Sequence, residues 1–288
     1  MLHIVIPAYN EQDRLPRTLR SLRRHVANHR QALGRVVVTV VDNASDDGTA
    51  EVARAADSPA LPVRVLSCEI RGKGAAVRAG LLATAPEETV CFMDADGATG
   101  FEALETALAR IEAGADVVIG SRALASSVTE ARHTRTRSAG AACYRAGAAR
   151  MLPDLTDTQC GFKMFRGTLV RPAVAELRAS GFAFDVELLV RLRAAGAVIE
   201  EIPVVWADVP GSTFVPMRDG ASSFLELAGI AWRTRGLGAA RPARATQAPQ
   251  ATPAGARSVP MPVAVPAALA AVLVPLAVPM HVRAPQEN

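Results

Sequence analysis

Five short apolar runs punctuate the first half of the chain: Ile4–Ile6, Val36–Val41, Val63–Leu66, Val90–Met93 and Val117–Ile119. Most are rich in β-branched residues, as strands buried on both faces are. Amphipathic stretches such as Leu15–Val26 and Ala75–Ala85 lie between them. Strand–helix repetition of this kind dictates βαβ units and a mostly parallel α/β sheet. Right-handed crossovers then bring every strand's C-terminal end to one edge, where open α/β sheets bind their ligands.

The polar clusters fall at that edge. Pro7-Ala8-Tyr9-Asn10-Glu11 follows the first run and Asp42-Asn43-Ala44-Ser45 the second. Asp94-Ala95-Asp96 follows the fourth and Gly120-Ser121-Arg122 the fifth. Packing alone does not call for four such clusters on one edge.

Asp94 and Asp96 are two carboxylates two positions apart at the end of the run Val90-Cys91-Phe92-Met93. In a turn, both can reach one hard dication, Mg²⁺ or Mn²⁺, which shares such oxygen ligands with substrate phosphates. Taken alone, the triplet also reads as a capped βα turn. Ser45 to Thr49 reads as a helix start, whereas Asp42 sits where a carboxylate can accept from a base or a ribose hydroxyl. Arg71-Gly72-Lys73-Gly74 opens a helix at Ala75, and a helix N-terminus beside basic residues favours an anion. It matches neither a Walker A motif nor a complete G-x-G-x-x-G fingerprint. Arg122, Arg132, Arg135 and Arg137 form a basic cluster that is either a solvated face or a set of bidentate phosphate ligands. Asp157, Gln159, Asp185 and Glu187 add polar groups in the second half, where an Ala-rich helix ending near Leu152, a helix near Asp185–Ala195 and a last strand near Val198–Val205 are expected.

The net charge of +4 suits phosphate-bearing ligands or an anionic membrane surface. No basic block interleaved with aromatics is present, so nucleic acid is not an expected partner. The four cysteines, Cys68, Cys91, Cys143 and Cys160, have no metal spacing and read as small apolar residues in a reducing compartment. No signal-peptide pattern opens the chain, which starts directly in a strand. Residues 1–236 read as one folded domain and 237–258 as a disordered Ala/Pro/Arg/Gln-rich linker. The apolar tail 259–288 has a charge-free stretch, Val259 to Val282, long enough to cross a bilayer. Pro260, Pro262, Pro266, Pro275 and Pro279 interrupt it, so it reads either as a weak membrane anchor or as a low-complexity tail.

Taken together and in order, the motifs resemble glycosyltransferase family 2. The carrying segments are Ile6–Glu11, Val41–Thr49, Gly72–Gly74, Asp94–Thr99, Gly120–Ala123, Asp157–Lys163 and Phe184–Leu189. Asp94-Ala95-Asp96-Gly97-Ala98-Thr99 and Asp157-Thr158-Gln159-Cys160-Gly161-Phe162-Lys163 make it most similar to the branch that transfers glucose to dolichyl and other polyprenyl phosphates. The resemblance implies a GT-A fold, Rossmann-like with helices on both faces of the sheet, and an inverting mechanism. Pro7, Tyr9, Glu11, Asp42, Lys73 and Asp94 would bind the nucleotide. Asp94 and Asp96 would hold the metal, and Arg122 with Arg135 and Arg137 would meet the acceptor phosphate. The catalytic set would be Asp96, Asp157 and Arg122. The implied donor is UDP-glucose, and the implied location is the cytoplasm or the cytoplasmic face of a membrane.

Two departures stand out. The family usually has two acidic residues where this chain has Asp42-Asn43, and the Gln-x-x-Arg-Trp motif of processive synthases is absent. A phosphate acceptor is already ionised at neutral pH and needs positioning alone, whereas a hydroxyl acceptor needs a general base, for which Asp157 is the candidate. The alternatives are a soluble glycosyltransferase acting on a hydroxyl of a sugar, aminocyclitol or secondary metabolite, a sugar-phosphate nucleotidyltransferase, and a non-catalytic nucleotide-binding module. A nucleotidyltransferase would place a Gly-rich basic loop where Pro7–Glu11 stands.

Overall fold

The computed structural model describes residues 1–130, 142, 144–209 and 216–237, with side chains from Ser223 onward in the last segment. Arg132, Arg135, Arg137, most of the expected linker and the whole tail lie outside the described residues.

A seven-stranded sheet runs in the order β3-β2-β1-β4-β7-β5-β8. Its strands are β1 (Leu2–Ala8), β2 (Val36–Asp42), β3 (Val63–Ser67), β4 (Thr89–Met93), β5 (Val117–Ser121), β7 (Phe162–Arg166) and β8 (Ile199–Pro203). All pairs are parallel except those of β7, which runs antiparallel to both β4 and β5. Two short strands, β6 (Val128–Glu130) and β9 (Val205–Ala207), pair separately. The helices are α1 (Leu15–Asn28), α2 (Arg30–Leu33), α3 (Thr49–Ala55), α4 (Lys73–Leu82), α5 (Ala103–Glu112), α6 (Gly167–Ala175), α7 (Phe184–Ala194) and α8 (Pro216–Arg233).

Each strand's alternate residues enter different cores. Ile4 and Ile6 of β1, Cys91 and Met93 of β4 pack with Leu15, Leu19, Leu22 and Val26 of α1 and Leu104, Ala107 and Ile111 of α5. Val5, Val90 and Phe92 face Ala76, Val77 and Leu81 of α4 and Leu188, Leu189 and Leu192 of α7. Both faces are therefore covered, which is why the strands read as continuous apolar runs. In α1, apolar residues at 15, 19, 22 and 26 form one stripe behind Pro16 in the first turn.

The five expected parallel strands are present. The last expected strand divides into β8 and β9. Strand β7 was not anticipated, because its second residue is Lys163, which is fully buried. A lysine argues against a central strand unless a counter-charge awaits it, and Asp185 of α7 lies 2.6 Å from its Nζ. Of the expected Ala-rich helix, residues 142 and 144–149 are helical among those described.

The chain order changes direction at β1, which lies between β2 and β4. The tips of β1 and β4 thus flank a topological switch point. Reversal of β7 places its entry, Gly161-Phe162, beside Met93 at the tip of β4. A parallel strand would have carried that segment to the opposite edge.

Candidate active site

The loops after β1 and β2 are laced together. Asn10 N–H donates to Ser45 Oγ at 3.1 Å, and Asp46 N–H donates to Asn10 Oδ1 at 2.9 Å. Glu11 N–H donates to Thr49 Oγ1 at 2.8 Å, and Gly48 N–H to Gln12 Oε1 at 2.9 Å. Asn10 and Ala44 both take positive φ, 54° and 56°. Asn tolerates that region, while Ala adopts it only where its surroundings impose it. The mutual hydrogen bonds are that constraint, and they set Tyr9, Glu11 and Asp42 in one wall.

Pro7 ends β1 opposite Val41. Tyr9 is half-buried under Arg71, whose guanidinium carbon lies 5.3 Å from the ring centre. Arg71 also donates to the Tyr9 hydroxyl at 3.1 Å and to Asp46. Asp42 Oδ1 accepts from Ser45 N–H at 3.3 Å. Glu11 is buried and paired with Arg14 through both oxygens. Burial raises its pKa above the usual carboxylate value against the pull of Arg14, with the charges of Asp96 and Asp94 adding to the rise.

Asn43 explains the departure at the second acidic position. Its amide donates to Ile70 O at 2.6 Å and Cys68 O at 3.3 Å, while its oxygen accepts from Gly72 N–H at 2.7 Å. A carboxylate could make only the last of these. Asn43 thereby ties the Cys68–Gly72 loop to β2 and presents the start of α4. Gly72 has φ 130°, and a Cβ there would collide with Ser180 O, so only glycine fits.

Lys73, the first residue of α4, places Nζ 2.6 Å from Asp94 Oδ1. Burial disfavours its charge, but Asp94 and then Asp185 outweigh that and hold its pKa above the ordinary value. Asp96 Oδ1 accepts from Ala98 N–H at 3.0 Å. Burial, and then the neighbouring charge of Asp94, raise the Asp96 pKa. Gly161 carries no side chain where a Cβ would overlap the Asp94 carboxylate, and its carbonyl accepts from Asp94 N–H at 3.0 Å. Behind this layer, Lys163 Nζ donates to Cys160 O at 2.7 Å and pairs with buried Asp185, whose pKa burial raises.

On the far side, Arg122 and Asp157 are locked together. Asp157 Oδ2 accepts from Arg122 N–H at 3.1 Å and from Nε at 2.6 Å. Its Oδ1 accepts from Arg122 Nη2 at 2.9 Å and from Gln159 N–H at 3.1 Å. Although burial works to raise it, these bonds from Arg122 hold the Asp157 pKa below the usual range. The Arg122 guanidinium also lies 5.5 Å from the centre of the Trp206 ring.

The described candidates thus line the strand-tip edge: Pro7, Tyr9, Glu11, Asp42, Lys73, Asp94 and Asp96 around the β1–β4 switch point, and Arg122 with Asp157 beyond β5. Sequence reasoning missed Asn43 as a loop tie, Gly161 as room for Asp94, and Lys163 as partner of Asp185. A lysine inside an apolar run was the available signal for the last. Glu187 is also structural: it is fully buried and accepts from Ala179 N–H at 2.8 Å and Arg191 Nη2 at 2.9 Å.

A mostly parallel sheet with this edge defines a GT-A glycosyltransferase. Residues 3–172 match the family model described as glycosyl transferase family 2, and the chain belongs to that family. Dolichyl-phosphate beta-glucosyltransferase of Drosophila melanogaster is 35% identical over 231 residues, spanning 75% of this chain and 69% of that protein. The protein of the same name from Homo sapiens is 32% identical over 227 residues, 75% of this chain and 70% of its own length. Among solved structures, glucosyl-3-phosphoglycerate synthase from Mycobacterium tuberculosis in complex with Mn²⁺, uridine diphosphate and glucosyl-3-phosphoglycerate superposes with a TM-score of 0.57. It is 20% identical, with 81% of this chain and 79% of that chain covered. The chain is a glycosyltransferase that uses a nucleotide sugar. Among the described residues, no helix is long and apolar enough to cross a membrane.

Proposed function

We propose that this enzyme transfers glucose from UDP-glucose to a polyprenyl phosphate, with inversion at the anomeric carbon. The Arg122–Asp157 pair carries the choice of acceptor. A carboxylate has about four lone-pair sites, and all four on Asp157 accept from Arg122 or Gln159. A hydroxyl acceptor needs a base with a lone pair to receive its proton, and Asp157 has none to offer. A phosphate monoester has a second pKa of about 6 and arrives ionised. It needs a cation, and Arg122, aligned by Asp157 through Nε and Nη2, would be that cation. Asp157 is then a positioning residue. The names of the relatives support the same acceptor and sugar.

Asp94 and Asp96 fit a hard dication. Their donor set is all oxygen, and burial and mutual repulsion raise the Asp96 pKa, a cost that a cation between them relieves. Mg²⁺ or Mn²⁺ bound there would neutralise charge growing on the diphosphate leaving group. The chain's own groups do the rest. Lys73 offers a protonated ammonium beside Asp94, and the α4 N-terminus adds its dipole toward the diphosphate. The buried, unpartnered Nη1 of Arg14 and Nε2 of Gln159 are donors available to a polar ligand. Tyr9 and Asp42 would line the base and ribose. Residues 1–236 would form the catalytic domain, with 237–258 as a linker and the apolar tail 259–288 holding the enzyme at the cytoplasmic membrane face.

A screen of radiolabelled nucleotide sugars against polyprenyl phosphate and hydroxyl acceptors tests the reading. Label should pass from UDP-glucose to the lipid phosphate. Arg122→Ala should raise the acceptor KM tenfold or more while leaving the donor KM within twofold. Preferential labelling of a hydroxyl acceptor, or equal loss for donor and acceptor, would overturn it.

A further inference from the structure

Away from the strand-tip edge, three metal-ligating side chains meet between α1 and α5. His25 lies in the last turn of α1, His29 caps that helix, and Glu105 lies in the first turn of α5. We propose that these residues form a site for a borderline transition-metal dication of the Zn²⁺ type, clamping the two helices together.

The spacing comes first. Residues four apart on a helix share a face, and the two imidazoles stack with centroids 4.2 Å apart and planes 27° from parallel. Glu105 reaches both: its Oε1 is 2.7 Å from His25 Nε2 and 3.6 Å from His29 Nδ1. One nitrogen of each ring and one carboxylate oxygen lie within 4.8 Å of one another. Small side-chain adjustments would bring all three to the ~2.1 Å of a Zn²⁺–ligand bond.

The partners of these groups argue for a cation over a simple ion pair. The two stacked imidazoles face one carboxylate oxygen, a set of donors that a single dication can share. His29 Nδ1 donates to His25 O at 2.9 Å. Nδ1, which lies 3.6 Å from Glu105 Oε1, would exchange that backbone contact for a metal bond. The second oxygen, Glu105 Oε2, is buried and has no hydrogen-bond partner. A buried carboxylate oxygen without a partner is costly, and a bound cation would satisfy it. The Phe101 ring, 5.8 Å from the His25 ring, shields one side.

Two imidazoles and one carboxylate, with a position left for water, match an open Zn²⁺ set. Mixed nitrogen and oxygen donors also separate this site from the Asp94/Asp96 pair, since Mg²⁺ prefers all-oxygen ligands and competes poorly for imidazole.

Equilibrium dialysis of the full chain against Zn²⁺, in excess Mg²⁺ to saturate the carboxylate pair, tests the site. Co²⁺ in place of Zn²⁺ supplies a visible absorption band that reports nitrogen ligation. One equivalent of Zn²⁺ should be retained, and the Co²⁺ band should appear. Both should be lost in His29→Gln and in Glu105→Gln, with Mg²⁺-supported transfer within twofold of the parent. His29 is exposed and Glu105 half-buried, so circular dichroism should match the parent. No retained Zn²⁺ in the parent chain, or equal retention in both variants, would overturn the proposal.

Discussion

Lys73 Nζ lies 2.6 Å from Asp94 Oδ1, joining the first turn of α4 to the tip of β4. The two residues reach each other because Asn43 and Gly72 present the start of α4 to the switch point. The Lys73 and Asp94 side chains remain 20% and 33% exposed, so an incoming diphosphate can compete for the ammonium. Lys73→Gln removes the charge at similar length. A charge-assisted hydrogen bond contributes about 1.5–3 kcal/mol, so the Kd for UDP should rise about tenfold or more by calorimetry. An unchanged Kd would exclude Lys73 from the diphosphate site.

Asp96→Asn should lower kcat about 10²- to 10³-fold, the scale of losing one electrostatic stabiliser. Its effect on stability has the opposite sign. The folded-state pKa of Asp96 is raised by burial and by Asp94. Ionised Asp96 therefore destabilises the metal-free fold, increasingly as pH rises through the ordinary carboxylate pKa of about 3.9. At pH 7 without metal, the Asn variant should melt at the same or a higher temperature. A lower Tm would contradict the assignment.

Gly161→Ala tests the room made for Asp94. The added methyl overlaps the Asp94 carboxylate and must displace it. Overpacking costs about 1–3 kcal/mol, and a displacement of about 1 Å at a reacting group can cost 10²-fold in rate. Denaturant titration and transfer assays should both register the change, with KM for acceptor least affected.

Asp157→Asn should cost about 2 kcal/mol at pH 7, below the range for a fully buried pair because Arg122 is 33% exposed. The Asp157 pKa is depressed in the folded state. Its contribution is thus complete above the unfolded carboxylate value of about 3.9 and fades as pH falls through the folded value. Urea unfolding should show the gap between parent and variant narrowing below about pH 4. A gap independent of pH would refute the ionised pair.

Asn43→Asp restores the acid usual in the family at a position where two carbonyls need a donor. Losing both amide bonds should cost about 1–3 kcal/mol and raise the KM for the nucleotide sugar as the Cys68–Gly72 loop shifts. Full stability at pH 7 would show that the loop does not depend on the amide.

The family and the main sheet were legible because buried parallel strands are nearly pure apolar runs and the loops after them carry motifs. Asp94, Asp96 and Asp42 could be placed at one edge from βαβ handedness alone. Strand β7 could not, because Lys163 breaks its apolar run and its partner Asp185 is 22 residues further along the chain. The state of Asp157 was equally hidden: a free carboxylate and one saturated by Arg122 look alike as letters.

By itself, the sequence determined what local pattern controls, namely the period of the strands, the starts of helices and the residue types at each strand tip. Tertiary structure alone decided which charges meet. The Lys73–Asp94, Lys163–Asp185 and Arg122–Asp157 contacts each join different loops or elements. Charge interactions depend on distance and desolvation, and neither exists until the sheet has brought those segments together.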